Sequence, residues 1–225
     1  MAIARSRGWK VFLVVLILLL AAAGVVLALT GVVPSLSGLV GADQPRDLGV
    51  RVTVADRDRV VQDVSSLFKP APAASGAGGK VQAAPAVIDR EFTEAELSAL
   101  LTYQQGGDWP VQSGQVRIHA DGMLEISVAL VTKELPPAVL QYLPRALPEL
   151  LPLFVRGRLG IAGAHEVALE VERFEIGRMP MPSGAIAALD PAEMINAELR
   201  SLPGLHLTDL VFAEGRVRVQ GTYQP

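Results

Sequence analysis

The hydrophobic pattern opens with one long apolar run. From Val11 to Ala42, 32 consecutive positions carry no charged side chain, and the run is densest over residues 11–33. A helix of 23 residues spans about 35 Å, which is enough to cross a hydrocarbon core of about 30 Å. A lone span in lipid must satisfy its own backbone hydrogen bonds, so it must be helical. The pattern therefore predicts a transmembrane anchor over residues 11–33.

Charge gives this anchor an orientation. Arg5, Arg7 and Lys10 precede the run, and the first acidic residue, Asp43, follows it. The positive-inside rule places residues 1–10 in the cytoplasm and the body outside the cell membrane of a single-pass protein. A cleaved signal peptide is the alternative, with Ala21–Ala23 as its small-residue cleavage site. The run exceeds the usual signal core of about 7–15 residues, which favours an uncleaved signal anchor. Either way the body is extracytoplasmic.

Three further segments follow the anchor. Residues 34–68 form a juxtamembrane segment in which 47–54 alternates briefly like a strand. Asp56 is a candidate N-cap for a short helix whose apolar residues share one face. Residues 69–85 are rich in Ala, Gly and Pro and predict a flexible linker. Residues 86–225 form the exported domain. The short helix that follows Asp56 has these residues on its apolar face: Val60, Val61, Val64, Leu67 and Phe68.

Two helices are predicted in the exported domain. Thr93 and Glu96 have capping-box spacing before an apolar helix that runs toward Gly106-Gly107. Asp190-Pro191 is a typical N-cap and N1 pair, and its helix extends to about Leu202. In Leu135–Leu153 five prolines interrupt a leucine-rich stretch, so we expect only short helical pieces there. Ile176–Pro182 is expected to be a connector.

Alternating strands make up the rest of the domain. Asp121-Gly122 separates two alternating runs, and Glu214-Gly215 separates the last two, as in hairpins. Two more runs cover 155–161 and 167–171. The sum is six or seven antiparallel strands with two helices, an α+β fold. The helices, a second copy or a bound lipid must cover the apolar face of the sheet.

Composition excludes several classes of function. Because the chain has no cysteine, it has no disulfide, thiolate nucleophile or Cys-built metal site. From Asp43 onward 17 basic and 23 acidic residues give a net charge of −6, with the basic residues scattered, so nucleic acid is not an expected partner. No metal motif, nucleophile elbow or phosphate loop occurs, so no enzyme activity, metal or cofactor is predicted. The three histidines have no partner at metal-ligand spacing: His119, His165 and His206. Three acidic residues share one face of a predicted strand, as on a solvated face: Glu166, Glu170 and Glu172.

The order of these motifs resembles a known family. A single anchor precedes a Thr-Glu-Ala-Glu-Leu helix start at 93–97, a Gly-x-Leu strand at 157–159 and an Ile-Gly-x-Met-Pro-Met-Pro connector at 176–182. This order resembles the YpmS-like membrane-anchored bacterial proteins of unknown function and, more loosely, the LmeA-like phospholipid-binding proteins. The resemblance implies a TULIP (BPI-like) domain, in which a curved antiparallel sheet wraps a helix around a lipid-accepting groove. It implies no catalytic residue.

Two functions follow as expectations. The first is a lipid-binding domain of the bacterial cell envelope that accommodates acyl chains of membrane lipid on the apolar face of its sheet. The alternative is a non-catalytic structural or interaction protein with a self-filled core, whose partner is an envelope protein. Met suits adaptable apolar surfaces, so the two methionines of the connector join the predicted site. The predicted lipid-binding residues are Leu124, Ile126, Val128, Leu159, Ile161, Met179 and Met181.

Overall fold

The protein is an α+β structure in which every described strand pair is antiparallel. The computed structural model describes residues 41–67, 85–103, 111–134, 148–202 and 204–224. The predicted anchor, and most of the linker at 69–85, lie outside these residues. No helix among the described residues is long and apolar enough to cross a membrane.

A three-stranded sheet joins the beginning of the domain to its end. Strand β1 (Ala86–Thr93) pairs with β8 (Arg216–Tyr223), and β8 pairs with β7 (Leu205–Ala213). The predicted Glu214-Gly215 turn connects β7 and β8, and Gly215 adopts a φ of +75°, which glycine tolerates without steric cost. The closing hairpin is therefore confirmed.

A five-stranded sheet holds the middle of the chain in the order β2-β3-β4-β5-β6. The first hairpin turns at the predicted Asp121-Gly122, where Gly122 has a φ of +83° and its N–H donates to the His119 carbonyl at 3.1 Å. Alternation along these strands places Val167 inside and Glu166, Glu170 and Glu172 outside, as predicted. The strands are β2 (Val111–Ile118), β3 (Met123–Val131), β4 (Leu150–Gly163), β5 (Glu166–Ile176) and β6 (Met179–Pro180).

Four helices lie within the described residues: α1 (Val54–Leu67), α2 (Glu94–Thr102), α3 (Ser183–Leu189) and α4 (Pro191–Arg200), with a 3₁₀ turn at Thr132–Glu134. The predicted capping box of α2 is confirmed, because the Glu96 N–H donates to the Thr93 hydroxyl and the Glu96 carboxylate accepts from the Thr93 N–H. Asp190 caps α4 by accepting from the Glu193 N–H at 3.1 Å. Both predicted helix starts are therefore correct.

Helix α2 covers the outer edge of β2 with a ladder of side chains. Glu94 accepts from the Ile118 N–H, Ser98 bonds both backbone groups of Val116, and Thr102 bonds both of Gly114. Four helical residues rise about 6 Å, close to the rise of about 6.7 Å for two strand residues, so every fourth side chain meets every second residue of β2. The helix thus replaces a neighbouring strand and protects the edge.

The apolar face of the five-stranded sheet is packed by the chain's own side chains. Around β2 and β3 the core cluster is formed by Val116, Ile118 and Val217, against which Leu97 and Leu101 of α2 pack. A second cluster of Leu151, Phe174 and Ile176 lies near the opposite end of the sheet, under Met181 and Ile186. The predicted alternation is therefore confirmed, and helices with the second sheet supply much of its cover.

Several local predictions were wrong. Residues 47–53 form no strand, and α1 begins at Val54, so Asp56 lies inside the helix and accepts from the preceding Thr53 N–H at 2.9 Å. Val60 is buried but Val61 is 47% exposed, so these two do not share one face. Residues 150–153 belong to β4 rather than to helical pieces, because the chain enters the sheet there and pairs with β3; residues 135–147 lie outside the described part.

The predicted connector at 176–182 and the end of α2 also differ from expectation. Met179 and Pro180 form a short strand because they pair with Ile176 and Glu175 at the end of β5. The following residues form α3, which the sequence did not predict because its start at Pro182 has no side-chain cap. Helix α2 ends at Thr102, before the expected Gly106-Gly107, which lies outside the described residues.

Candidate functional site

The structure separates the seven predicted lipid-binding residues into two groups. Leu124 and Ile126 pack against the β2–β3 cluster, and Val128 is 6% exposed beneath α2. Met181 packs against the second cluster, and Met179 is half-buried in β6. These five side chains lie against or beside protein rather than along one open groove. Leu159 and Ile161 instead lie at an open cleft between the two sheets.

This cleft, which we call the β4–β7 cleft, has a volume of about 540 Å³. Its apolar lining combines Leu159 and Ile161 of β4 with Leu210, Val211 and Phe212 of β7. Four of the five are half-buried, and Val211 is 47% exposed. Leu210 and Phe212 also pack against the β2–β3 cluster. The cleft therefore offers an apolar surface that the described residues cover only in part.

The cleft exists because β4 is longer than its neighbour β3. The pairing of β3 with β4 ends at Met123 and Arg158, so the next residues of β4 have a strand partner only on the β5 side. Strand β7 approaches that free side, and the Leu207 N–H donates to the Ala164 carbonyl at 2.8 Å. The two strands thus meet at one end and leave a gap along residues 159–161.

The hairpin turn between β2 and β3 closes the other end of the cleft. The Leu159 N–H donates to the Gly122 carbonyl at 3.1 Å. A side chain at Gly122 would meet the Phe212 ring at 3.6 Å, so the turn lies directly on that ring. Glycine is favoured here for its positive φ of +83°, since a Cβ would make only ordinary van der Waals contact with the ring.

The rim of the cleft is polar. Arg158 and Asp121 form an exposed ion pair at 3.7 Å, and Asp209 accepts a hydrogen bond from the Leu210 N–H at 2.8 Å. An apolar floor with a few polar rim groups is typical of a site for an amphipathic ligand. Exposed ion pairs of this kind contribute only about 0–1 kcal/mol, so they can rearrange at little cost.

Sequence reasoning missed the β7 half of this site. Leu210 and Phe212 were predicted only as residues of the closing hairpin. Their alternation with Val211 was visible, but nothing local shows that β7 faces the free side of β4, about 50 residues earlier in the chain.

The acidic residues of β1 and the three histidines contact different partners. Asp89 and Glu91 pair with Arg218 and Arg216 across β1 and β8. His119 lies between Glu125 and Glu214, at 3.9 and 3.8 Å, and the His165 ring contacts the His206 ring with 4.4 Å between centroids. Over the described residues, no group of three or more His, Asp or Glu side chains is placed to hold a metal ion.

The β4–β7 cleft is thus the place where predicted lipid-binding residues and open apolar surface coincide. Its lining offers aliphatic and aromatic carbon, with charge confined to the rim. Such a surface can bind an apolar chain by burial. No protein-family model matches the chain, and no curated protein matches it.

Proposed function

We propose that this protein is a membrane-anchored, extracytoplasmic lipid-binding domain whose β4–β7 cleft accepts part of an acyl chain. The observation that carries the proposal is the open apolar lining of Leu159, Ile161, Leu210 and Phe212 between the two sheets. A volume of about 540 Å³ lies within the range of small-molecule sites, about 300–1,000 Å³. The predicted anchor over residues 11–33 would hold this cleft close to membrane lipid.

Affinity would come from burial of methylene groups, each of which contributes about 0.8 kcal/mol when it leaves water. Part of that gain is lost to the ordering of the ligand on binding. Because the cleft is open along one side, it favours a single chain lying along β4 over a fully enclosed lipid. The resemblance to TULIP-type domains supports the same function.

Photo-crosslinking tests this proposal in the intact chain. Cells supplied with a diazirine-bearing fatty acid are irradiated, and crosslinked peptides of the full chain are identified by mass spectrometry. We expect crosslinks in residues 11–33, which serve as an internal reference, and in residues 159–161 and 209–212. Crosslinks confined to the anchor would refute acyl binding by the cleft.

A matched pair of variants sharpens the test. Ile161→Lys puts a charge at the cleft and should lower crosslinking of the cleft peptides about tenfold relative to the anchor peptides. Val87→Lys makes the same change at a 75% exposed position of β1, so its crosslinking should equal that of the wild type. Equal crosslinking in both variants would contradict the assignment.

The topology can be tested separately because the chain has no cysteine. Single variants Ser6→Cys and Ser183→Cys are exposed to a membrane-impermeant maleimide in intact cells. The proposal expects labelling of Ser183→Cys in intact cells and of Ser6→Cys only after lysis. Labelling in the reverse order would place the domain in the cytoplasm.

A second function is favoured by a specific observation. The two apolar clusters are packed by the chain's own side chains, including Leu124, Ile126 and Met181 from the predicted ligand set. This packing favours a non-catalytic structural or interaction protein of the envelope with a self-filled core. Absence of cleft crosslinks, together with correct topology, would select this second function.

A further inference from the structure

Four arginines converge on the face of the five-stranded sheet that points away from the apolar clusters. Arg156 of β4, Arg173 of β5 and Arg178, which precedes β6, line a pocket of about 410 Å³ together with Arg46. We call this the arginine pocket. Arg46 reaches it from residues 41–53, a segment that bonds to β2 through the Leu48 N–H and the Gln115 side chain at 2.7 Å.

A buried carboxylate fixes two of these cations. Glu175 is fully buried, and it accepts hydrogen bonds from Arg46 at 3.1 and 2.5 Å and from Arg173. The Arg46 guanidinium also lies over the Phe154 ring, 4.5 Å from its centroid. Because a buried ion pair with several hydrogen bonds has a defined geometry, these side chains are held in place before any ligand arrives.

Positive charge exceeds negative charge in the pocket. Glu175 balances one of the two arginines that it binds, and Arg156 pairs with both Glu125 at 3.3 Å and Glu172 at 3.4 Å. The remaining lining carboxylate, Asp47, is already bound to Arg51 by two hydrogen bonds of 3.0 Å. The four arginines and the three carboxylates that pair with them therefore leave an excess of about one positive charge, in a body whose net charge is −6.

Arg178 is the cation with the least compensation. Its Nε donates to the Gly41 carbonyl at 3.1 Å, and no described carboxylate lies within ion-pair distance of it. Burial, together with the nearby Arg46 guanidinium, holds the pKa of Arg178 below its usual value. An anion that entered the pocket would relieve both the lost hydration and the repulsion between the two guanidiniums.

We propose that the arginine pocket binds a phosphate monoester group, supplied either by inorganic phosphate or by a lipid headgroup. A phosphate monoester carries a charge of about −1.5 to −2 at neutral pH, so one such group can compensate both Arg178 and the second arginine bound to Glu175. Planar guanidinium groups bind phosphate oxygens through paired hydrogen bonds. This site lies apart from the β4–β7 cleft and does not depend on acyl binding.

The pocket lies within reach of lipid headgroups when the predicted anchor spans the bilayer. Gly41 is the eighth residue after Val33, so the chain between them extends at most about 29 Å. Gly41 itself contacts Arg178. A phosphate at the membrane surface is therefore accessible to the pocket when residues 11–33 span the bilayer.

Equilibrium dialysis with radiolabelled inorganic phosphate tests the site in the full chain, held in uncharged maltoside micelles at low salt. We expect saturable binding to the wild type. Arg178→Gln should weaken it about tenfold or more, which corresponds to about 1.4 kcal/mol. Arg173→Gln is the second variant in case Arg178→Gln perturbs folding, which circular dichroism checks. Arg216→Gln removes the same charge on β8, where it faces Glu91, and should bind phosphate as the wild type does.

A competition experiment with lipid nanodiscs distinguishes the two sources of phosphate. If a lipid headgroup is the ligand, phosphatidic acid in phosphatidylcholine nanodiscs should compete with labelled phosphate more strongly than oleate at equal negative charge. Equal competition by both lipids would assign the pocket to free phosphate. The proposal is overturned if the wild type shows no saturable phosphate binding, or if both pocket variants bind as tightly as Arg216→Gln.

Discussion

The Ser98 hydroxyl forms hydrogen bonds with both backbone groups of Val116: it accepts from the Val116 N–H at 2.7 Å and donates to the Val116 carbonyl at 3.4 Å. Both residues are buried, so water does not compete for these groups. The hydroxyl thus makes the hydrogen bonds to β2 that a neighbouring strand makes elsewhere in a sheet. The same arrangement recurs at Thr102 and Gly114.

Ser98→Ala should destabilise the protein by about 1–3 kcal/mol, because it leaves the buried Val116 N–H and carbonyl without a partner. The free energy of unfolding can be measured in urea by far-UV circular dichroism. Ser183→Ala, at an exposed position of α3, is the matched control and should change stability by less than about 0.5 kcal/mol. Equal effects would mean that water reaches the β2 edge.

Gly114→Ala should also destabilise the protein, by about 1–3 kcal/mol, through overpacking. A Cβ at this position would lie 2.8 Å from the Leu101 Cβ and 3.1 Å from a methyl carbon of Val128. Helix α2 would therefore have to move away from β2. Gly160→Ala is the control, since its Cβ would meet no atom within 4 Å. A stable Gly114→Ala variant would show that the α2–β2 contact is loose.

Asn196→Ala should release α4 from the free edge of β5. The Asn196 side chain accepts from the Val167 N–H at 2.8 Å and donates to the Val167 carbonyl at 3.1 Å. Hydrogen exchange at the Val167 amide should become about fivefold faster, as expected for the loss of a bond of about 1 kcal/mol. Ile195→Ala alters the same helix at a 39% exposed position and should leave that amide protected.

The carboxyl of Asp47 should titrate far below its normal range. Hydrogen bonds from Arg51, then from the Gly49 N–H and Gln115, lower the pKa of Asp47 from 3.8 to about 2. A lowered native pKa stabilises the fold above pH 3.8, and this contribution is lost as the pH falls through about 2. Carbon-13 NMR of the side-chain carboxyl measures the value directly.

Arg51→Gln should raise the pKa of Asp47 toward 3.8, because it removes the largest cause of the shift. Arg59→Gln removes a charge that contacts Asp56 instead, so Asp47 should titrate as in the wild type. A carboxyl that titrates near 3.8 in the unchanged chain would show that the Asp47–Arg51 contact does not form in solution.

Elements with local signals were predictable from the sequence. The Thr93–Glu96 capping box, the Asp190-Pro191 helix start and the Asp121-Gly122 turn each act within a few residues, where backbone geometry and one hydrogen bond decide the outcome. The strand at 47–54 failed because short alternation is a weak signal without a partner strand. Helix α3 was missed because its first residue follows Pro182, which offers no capping side chain.

The two candidate sites depended on contacts that no local pattern contains. Alternation identified Leu159 and Ile161 as one-faced apolar residues, but it could not show that they remain open while Leu124 and Ile126 are covered. Basic residues appeared scattered along the chain, yet Arg46 meets Glu175 across 129 positions.

Local geometry therefore determined where the helices and hairpins of this protein begin and turn, and which strand face is apolar. Only the tertiary structure decided which part of that face stays open and which charges meet. The physical reason is range: caps and turns form between neighbouring residues, whereas the cleft and the arginine pocket arise from how two sheets and the segment 41–53 come together.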